Sequence, residues 1–474
     1  MTLFLILALH KDNGAASSWR QDLFGRKTMN AAHKHHCDLT RGSITLHLAR
    51  LAIPLIAGNI LQQLYNTIDA FVVARYAGLE EFAAIGVAGA VMNLFLFAIV
   101  GACIGISVLL AQIYGAKDME TFRKEHFIAL SAGVLFSTAA GALGAAGTGP
   151  VLALLQTPDD IFGLTGSYLC IVLLSLPASF IYNFYCALFR AAGQVNAALG
   201  ILALTVCLNL GLDILFVAQF GWGVEGAAWA TLLAQTASAL LCFLYLRMAL
   251  PELMFRRENW GLHLPLLKKT AHFGLVTGLQ QTGLYIGKLA VQGAVNSMGT
   301  AVISAYTATT RIEAFANSFG DSGASATSVA TAQNFGAGNH ARVRSCFWKS
   351  LLLFGGMGIV SSLTLWLSAE WASALLLSES SGPAFDSAVS YLKIVAFFYL
   401  LNFTGNSFAG YFDGVGRVSV TLLGTCTHIT LRAVLSWVFI SRFGLDAVAL
   451  LTGLGWILVN SIWACFYWRL RRRA

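Results

Sequence analysis

Four carboxylates interrupt stretches of this sequence that are otherwise apolar: Asp69, Asp213, Glu313 and Asp321. An ionisable group inside a bilayer is costly and by default marks an ion or substrate pathway. Asn209 precedes Asp213 by four residues, so both lie on one face of a helix. With Asp69 and Thr231 they offer carboxylate, amide and hydroxyl oxygens, which suit a hard cation such as sodium, or a proton held by a buried carboxylate. Asp321 receives no assignment.

Two basic residues are candidates to pair with the third acid. Lys288 and Glu313 lie at similar depths on consecutive apolar stretches, and Arg311 is an alternative partner for Glu313. Because a charge in hydrocarbon must find an opposite charge, we expect a structural ion pair, with a direct role in substrate or proton handling as the alternative. For Asp69 and Asp213 the alternative role is a plain hydrogen bond to a neighbouring helix.

The composition indicates a helical membrane protein. Hydrophobic residues make up 57% of the 474 residues and charged residues only 11%, against about a quarter in soluble domains. Apolar runs of about 20 residues or more, enough to cross about 30 Å of hydrocarbon as a helix, recur along the chain. The 46 glycines and the lack of long alternating segments disfavour a barrel. The net charge of +8 does not indicate nucleic acid, because the basic residues fall at helix ends.

Twelve spans are predicted, with limits at 48–74, 82–113, 125–155, 164–190, 195–217, 222–248, 269–297, 301–335, 345–377, 384–412, 416–440 and 445–469. Most of the 30 Lys and Arg lie in the loops on one side, whereas the opposite loops carry only Arg75 and Arg442. The positive-inside rule therefore places both termini in the cytoplasm, which requires an even number of spans.

Two internal repeats divide these spans into halves. AQIYGAKD at 111–118 matches AQNFGAGN at 332–339, and FRAAGQV at 189–195 matches FDGVGRV at 412–418 at nearly the same offset. Six spans separate equivalent positions, so the halves share one orientation and are related by a pseudo-two-fold axis along the membrane normal. We expect an N-lobe at 45–248 with six helices, a cytoplasmic linker at 249–268 and a C-lobe at 269–474.

Several motifs in order resemble the multidrug and toxic compound extrusion (MATE) family: LAIPLIAGNILQQLYNTIDAFVVARYAG, the paired AQxYGA and AQxFGA ends, FRAAGQVNAALGI, GWGVEGAAWAT and SAYTATTRIEAFANSFG. The resemblance runs from about residue 40 to the C-terminus. It implies a cation site in the N-lobe, formed here by Asp69, Asn209, Asp213 and Thr231, and a bendable first helix at Pro54, where proline removes a helical hydrogen bond.

The same resemblance implies a secondary antiporter of the cell inner membrane that exports small cationic or amphipathic compounds in exchange for protons or sodium. We expect no cofactor and no nucleic-acid partner, and a monomer surrounded by the lipid bilayer. A lipid-linked oligosaccharide flippase of the same superfamily is the alternative, although such flippases more often have fourteen spans. An intramembrane enzyme would need a catalytic dyad or metal cluster, and neither is evident.

Two further patterns carry no function. GWGVEG at 221–226 fits a dinucleotide-binding glycine pattern, but it joins two spans and no strand precedes it. HKHHC at 33–37 matches no zinc spacing. Residues 1–44 are expected to form a disordered tail. Because Met29 offers a second plausible start, the first 28 residues are expected to be either a mis-assigned extension of the natural protein or part of this tail.

Overall fold

The computed structural model describes residues 38–473, and in this range the chain is helical, without a strand. The membrane helices are α1 (Ile44–Tyr76), α2 (Leu79–Gly115), α3 (Met119–Ala146), α4 (Asp159–Leu174 and Leu176–Ala191), α5 (Val195–Asp213, continued by Ile214–Gln219), α6 (Gly223–Ala249), α7 (Leu264–Asn296), α8 (Thr300–Gly336), α9 (His340–Leu377), α10 (Pro383–Gly414), and α11 and α12 together (Val418–Arg473). A short helix, Thr148–Leu154, follows α3.

Two of these helices are broken. The segment Val418–Arg473 has 56 residues, and as one straight helix it would be about 84 Å long, nearly three times the hydrocarbon thickness. It is interrupted at Gly444, with φ 60° and ψ −149°, which separates α11 from α12. The two pieces of α4 meet at an angle of 45°. Residues 38–473 therefore form twelve membrane helices in two lobes of six, α1–α6 and α7–α12, and the predicted fold class is confirmed.

Length and hydropathy support the membrane assignment. In the described part of the chain, eight helices are long and apolar enough to cross a membrane when α11 and α12 are counted as one, or nine with the bent α4 as one span. Helices α7 and α8 are equally long but more polar, and both face the other lobe: Thr277 of α7 donates to Gly101 O at 2.7 Å, and Asn59 of α1 donates to Ser322 Oγ on α8 at 3.1 Å. Helices between lobes need less apolar surface than helices in lipid.

The linker is shorter than predicted. It runs from residue 250 to residue 263, because α7 begins at Leu264, and it contains two 3-10 turns, Pro251–Leu253 and Arg257–Asn259. It lies against α3, where His126 Nδ1 is 3.0 Å from Leu253 O. The α3–linker contact holds the connection between the lobes on the predicted cytoplasmic face.

The expected disordered tail needs a correction at its end. Residues 1–37, and with them the His33–Cys37 cluster, lie outside the described residues. Residues 38–43, however, pack on the C-lobe: Leu39 is 1% exposed and its N–H donates to Gln333 Oε1 at 3.3 Å. The backbone of this segment finds partners on α8, which a sequence without tertiary contacts does not reveal.

Hydrogen bonds between the lobes occupy the half of the molecule nearer the predicted cytoplasmic face. Among the described residues, the outermost one joins Tyr285 Oη of α7 to Ala90 O of α2 at 3.2 Å. Each of the two residues lies about 16 Å along its helix from the end on the predicted non-cytoplasmic side. Nearer the opposite face, Gly86 and Gly89 of α2 have open space where a side chain would stand. In the described part of the chain the lobes are therefore held together by hydrogen bonds on the predicted cytoplasmic side.

Candidate functional site

The N-lobe acids lie on α1 and α5. Asp69 is partly buried and sits about two turns before the end of α1. Asp213 and Asn209, one turn apart on α5, are 0% and 2% exposed. After Asp213 the chain continues as a π-helix over Ile214–Gln219, a local widening that is frequent at functional sites. The one-turn spacing seen in the sequence places both α5 side chains on one buried face.

The carboxyl groups of Asp69 and Asp213 lie within side-chain interaction range of each other, without a well-aligned hydrogen bond between them. Two ionised carboxylates held this close would repel each other strongly. Two carboxyl groups this close could share one proton or hold a metal ion between them more readily than each could carry its own charge. The sequence places these residues on separate spans, and the structure brings them together.

Several buried polar atoms at this site have no hydrogen-bond partner in the protein: Asp69 Oδ1, Asp213 Oδ1 and Oδ2, and Asn209 Oδ1 and Nδ2. Leaving a buried polar atom unpaired costs about 1–3 kcal/mol. Four of the five atoms are oxygens, the donor type that a hard cation or a proton prefers. The arrangement is thus suited to binding a small cation, and a purely structural role would leave these buried atoms without partners.

Two tyrosines complete the site, and sequence reasoning missed both. The side chains of Tyr65 and of Thr231 on α6 lie near each other, and both Tyr65 and Tyr168 lie close enough to Asp69 and Asp213 for electrostatic interaction. The Thr231 hydroxyl itself donates to Ala227 O, one turn earlier on α6, at 3.0 Å. Tyr65 could have been found, because it lies one turn before Asp69 on the same face of α1. Tyr168 comes from α4 and gives no such signal.

Pro54 lies within α1, which continues as a helix on both sides of it. Its ring removes the hydrogen bond that Arg50 O would otherwise accept within the helix. One turn further on, the Asn59 side chain contacts α8 of the C-lobe, donating to Ser318 O at 3.5 Å and to Ser322 Oγ at 3.1 Å. Helix α1 thus links the acids to the lobe interface, and its role as a hinge remains a prediction.

The C-lobe does not repeat the oxygen cluster. By the repeat offset, Arg432 and Ser436 occupy the positions of Asn209 and Asp213. Ser436 is fully buried, and Arg432 donates from an NH2 group to the Tyr306 hydroxyl at 3.4 Å. The two lobes therefore differ in the chemistry of equivalent positions, as the sequence indicates.

The predicted pairing of Glu313 finds no support in the distances. Glu313 is 7% exposed and accepts a hydrogen bond from Tyr391 Oη at 3.0 Å. Within the described residues no ion pair joins it to Lys288 or Arg311, which are both exposed. The strongest electrostatic attraction on Glu313 comes from Arg432, ahead of Lys288. Sequence reasoning missed Arg432 as a partner, and its position three spans further along the chain gives no hint of this proximity.

Asp321 lies on α8 and is exposed. The basic residue that acts on it electrostatically is Lys288, which is exposed on α7. The two form no ion pair within the described part of the structure. Asp321 is therefore a more accessible partner for Lys288 than the buried Glu313 is.

Two six-helix lobes, with intramembrane acids brought together on two helices of one lobe, are the architecture of a polytopic membrane transporter. The family model described as MatE matches residues 54–215 and 277–438, which lie in the first and second lobe respectively. The chain therefore belongs to the MATE family.

Relatives and solved structures agree with this assignment. "Probable multidrug resistance protein YpnP" of Bacillus subtilis (strain 168) is 28% identical over 444 residues, which cover 92% of this chain and 97% of the relative. "Probable multidrug resistance protein NorM" of Thermotoga maritima is 23% identical over 432 residues, 87% and 89% of the two chains. An outward-facing multidrug resistance MATE transporter superposes with a TM-score of 0.85 at 22% identity, covering 92% of this chain and 97% of that one.

Proposed function

We propose that this protein is a secondary antiporter that exports small cationic or amphipathic compounds in exchange for protons or sodium ions by alternating access. The relatives described as multidrug resistance proteins support the export of such compounds. They do not favour the flippase alternative. The protein works as a monomer in the cell inner membrane with both termini in the cytoplasm, since one chain contains both lobes and the complete acid cluster. It uses no cofactor, and the coupling ion is itself transported.

The contact between Asp69 and Asp213 is the observation that carries the proposal. Binding a cation neutralises part of the charge on this pair and satisfies buried oxygens that have no protein partner. Release of the cation restores the repulsion between the two carboxylates. The charge state of the pair therefore changes the forces between α1 and α5, the two helices that carry it.

Helix α1 transmits this change to the second lobe. It carries Asp69 near its outer end, Pro54 in its inner half and Asn59 in contact with α8. Pro54 lets α1 bend without breaking a hydrogen bond at that position. A change at the acids can thus alter both the space available beside α1 and the contact of α1 with the C-lobe. For coupling, the cation must bind more tightly to the conformation from which the drug has been released.

The test is uptake of a fluorescent organic cation into inverted membrane vesicles under an imposed pH gradient and, separately, an imposed sodium gradient. The wild type should respond to one of the gradients, which identifies the coupling ion. Asp69→Asn removes the titratable charge at nearly constant volume and should abolish gradient-driven uptake, with expression and monodispersity near normal.

Ser436→Ala is the matched control, because Ser436 occupies the position of Asp213 in the other lobe and is equally buried. It should transport like the wild type. Full gradient-driven uptake by Asp69→Asn would return Asp69 to a structural role, and absence of any gradient-driven uptake by the wild type would refute antiport.

A further inference from the structure

The repeated motifs identified in the sequence meet each other across the lobe interface. Gln112, from AQIYGAKD, donates from Nε2 to Gly414 O at 2.9 Å, and Gln333, from AQNFGAGN, donates from Nε2 to Ala191 O at 2.7 Å. Ala191 and Gly414 are themselves equivalent, each the third residue of the second repeat, FRAAGQV or FDGVGRV. The two bonds are thus related by the pseudo-two-fold axis, like the paired contacts of an isologous dimer interface.

The accepting carbonyls belong to helix ends that leave them available. Ala191 and Gly414 are the last residues of α4 and α10, where carbonyls lack partners within the helix. The turns that follow satisfy neighbouring carbonyls only: Gln194 N donates to Phe189 O, and Arg417 N to Phe412 O, both at 2.7 Å. The remaining carbonyl on each side takes its hydrogen bond from the glutamine of the opposite lobe.

Glycines allow the backbones to come this close. Gly115 ends α2 and Gly336 ends α8. A methyl group on Gly115 would overlap the carbonyl oxygen of Gln333, and one on Gly336 would overlap the carbonyl oxygen of Gln112. The repeated motif AQxxGA therefore supplies both a donor for the opposite lobe and a residue without a side chain where the lobes touch.

The segment before α1 reinforces the C-lobe half of this contact. Gln333 Oε1 accepts from Leu39 N at 3.3 Å while its Nε2 binds Ala191, so one side chain joins the N-terminal segment to α4. Leu39 O accepts in turn from Asn334 Nδ2 at 3.2 Å and from an Arg342 NH2 group at 3.1 Å. The start of α1, the helix that carries Asp69, is thereby fixed to the contact between the two repeats.

We propose that Gln112 and Gln333 form a latch that holds the predicted cytoplasmic side closed, and that the inward-facing state requires both cross-lobe hydrogen bonds to break. This rests on the proposed alternating access. The latch consists of Gln112, Gln333, the carbonyls of Ala191 and Gly414, and the contact glycines Gly115 and Gly336. Its symmetry explains why the two AQxxGA copies are kept alike in a protein whose ion site is present in one lobe only.

Hydrogen–deuterium exchange of the purified full-length protein tests the latch without a transport assay. Gln112→Glu and Gln333→Glu keep the side-chain length but replace the donor N–H with an acceptor oxygen facing a carbonyl. Each single change should raise amide exchange at 186–194 and 410–418 about fivefold, the effect of losing one neutral hydrogen bond. The double change should exceed either single change. Exchange at the outer end of α1, 64–76, should fall as the outer side closes.

Gln292→Glu is the matched control, because Gln292 donates to Asn296 within α7 and takes no part in the cross-lobe bonds. It should exchange like the wild type. A second pair of variants avoids polar changes: Gly336→Ala should open the same segments, whereas Gly356→Ala, where a side chain meets no neighbour, should not. If the glycine variant fails to fold, the glutamine variants still decide the matter.

Three outcomes count against the latch: unchanged exchange at both inner segments, equal increases at the inner and outer ends with a lower melting temperature, or an effect of Gln292→Glu as large as that of Gln112→Glu. Equal increases at both ends, with a lower melting temperature, would show general destabilisation of the protein. Vesicle uptake distinguishes failure of the latch from failure of the proposed function. If the wild type transports but the latch variants exchange like the wild type, only the latch is refuted. If exchange at 186–194 and 410–418 rises in the latch variants but the wild type shows no gradient-driven uptake, antiport is refuted and the latch is retained.

Discussion

Replacing Asp213 with Asn should remove most of the cation affinity of the N-lobe site. A cation bound by both carboxylates would lie about 4 Å from each charge, and at an effective dielectric constant near 20 each contributes about 4 kcal/mol. Solvent access at the partly buried Asp69 reduces this, so we expect the loss of one charge to cost about 2–4 kcal/mol. That corresponds to a fall in affinity of about 30- to 1000-fold.

Thermal unfolding of the purified protein, followed at several pH values and sodium concentrations, measures this loss. A cation present at about 100 times its dissociation constant stabilises the folded wild type by about 2.7 kcal/mol, and after the predicted loss by less than about 1 kcal/mol. Asp413→Asn is the control, because it removes another buried carboxylate, one that accepts from Thr421 Oγ1 at 2.7 Å outside the site. If Asp213→Asn keeps the wild-type response to both protons and sodium, the two acids do not form the cation site.

Three further predictions concern other parts of the chain. In a double-mutant cycle, the variant with both Arg432→Met and Glu313→Gln should be more stable than the sum of the two single losses in stability predicts, with a coupling energy of about 1–3 kcal/mol. A larger coupling energy between Lys288 and Glu313 would restore the pairing predicted from sequence. Hydrogen bonding to a threonine side chain in the first turn of α3 holds the pKa of Asp118, its N-cap, below the usual range. The stability from this cap is therefore present at neutral pH and lost as pH falls through the lowered pKa. The Asp118→Asn variant should melt with less dependence on acidic pH, and Asp118→Ala should lose about 1 kcal/mol at neutral pH and less in acid. A single cysteine at His340, in a cysteine-free background, should react with an impermeant reagent only in inverted vesicles, and labelling on intact cells would reverse the topology.

Much of the architecture follows from the sequence because it depends on local composition. A membrane core lacks water, so each span must be an apolar helix of sufficient length, and the predicted spans agree with the observed helices to within a few residues at most ends. The repeated AQxxGA motif predicted two lobes in one orientation. The one-turn spacing of Asn209 and Asp213 predicted a shared helix face, and both are buried as expected.

The tertiary structure decided which residues from different helices meet. Asp69 and Asp213 come from α1 and α5, Arg432 approaches Glu313 from α11, and each latch glutamine bonds to a helix end of the other lobe. Hydropathy and charge specify that a segment crosses the membrane and in which direction, but they leave its rotation and its neighbours open. Those depend on packing between helices, where a shift of one residue turns a side chain by about 100° to face another helix or the lipid.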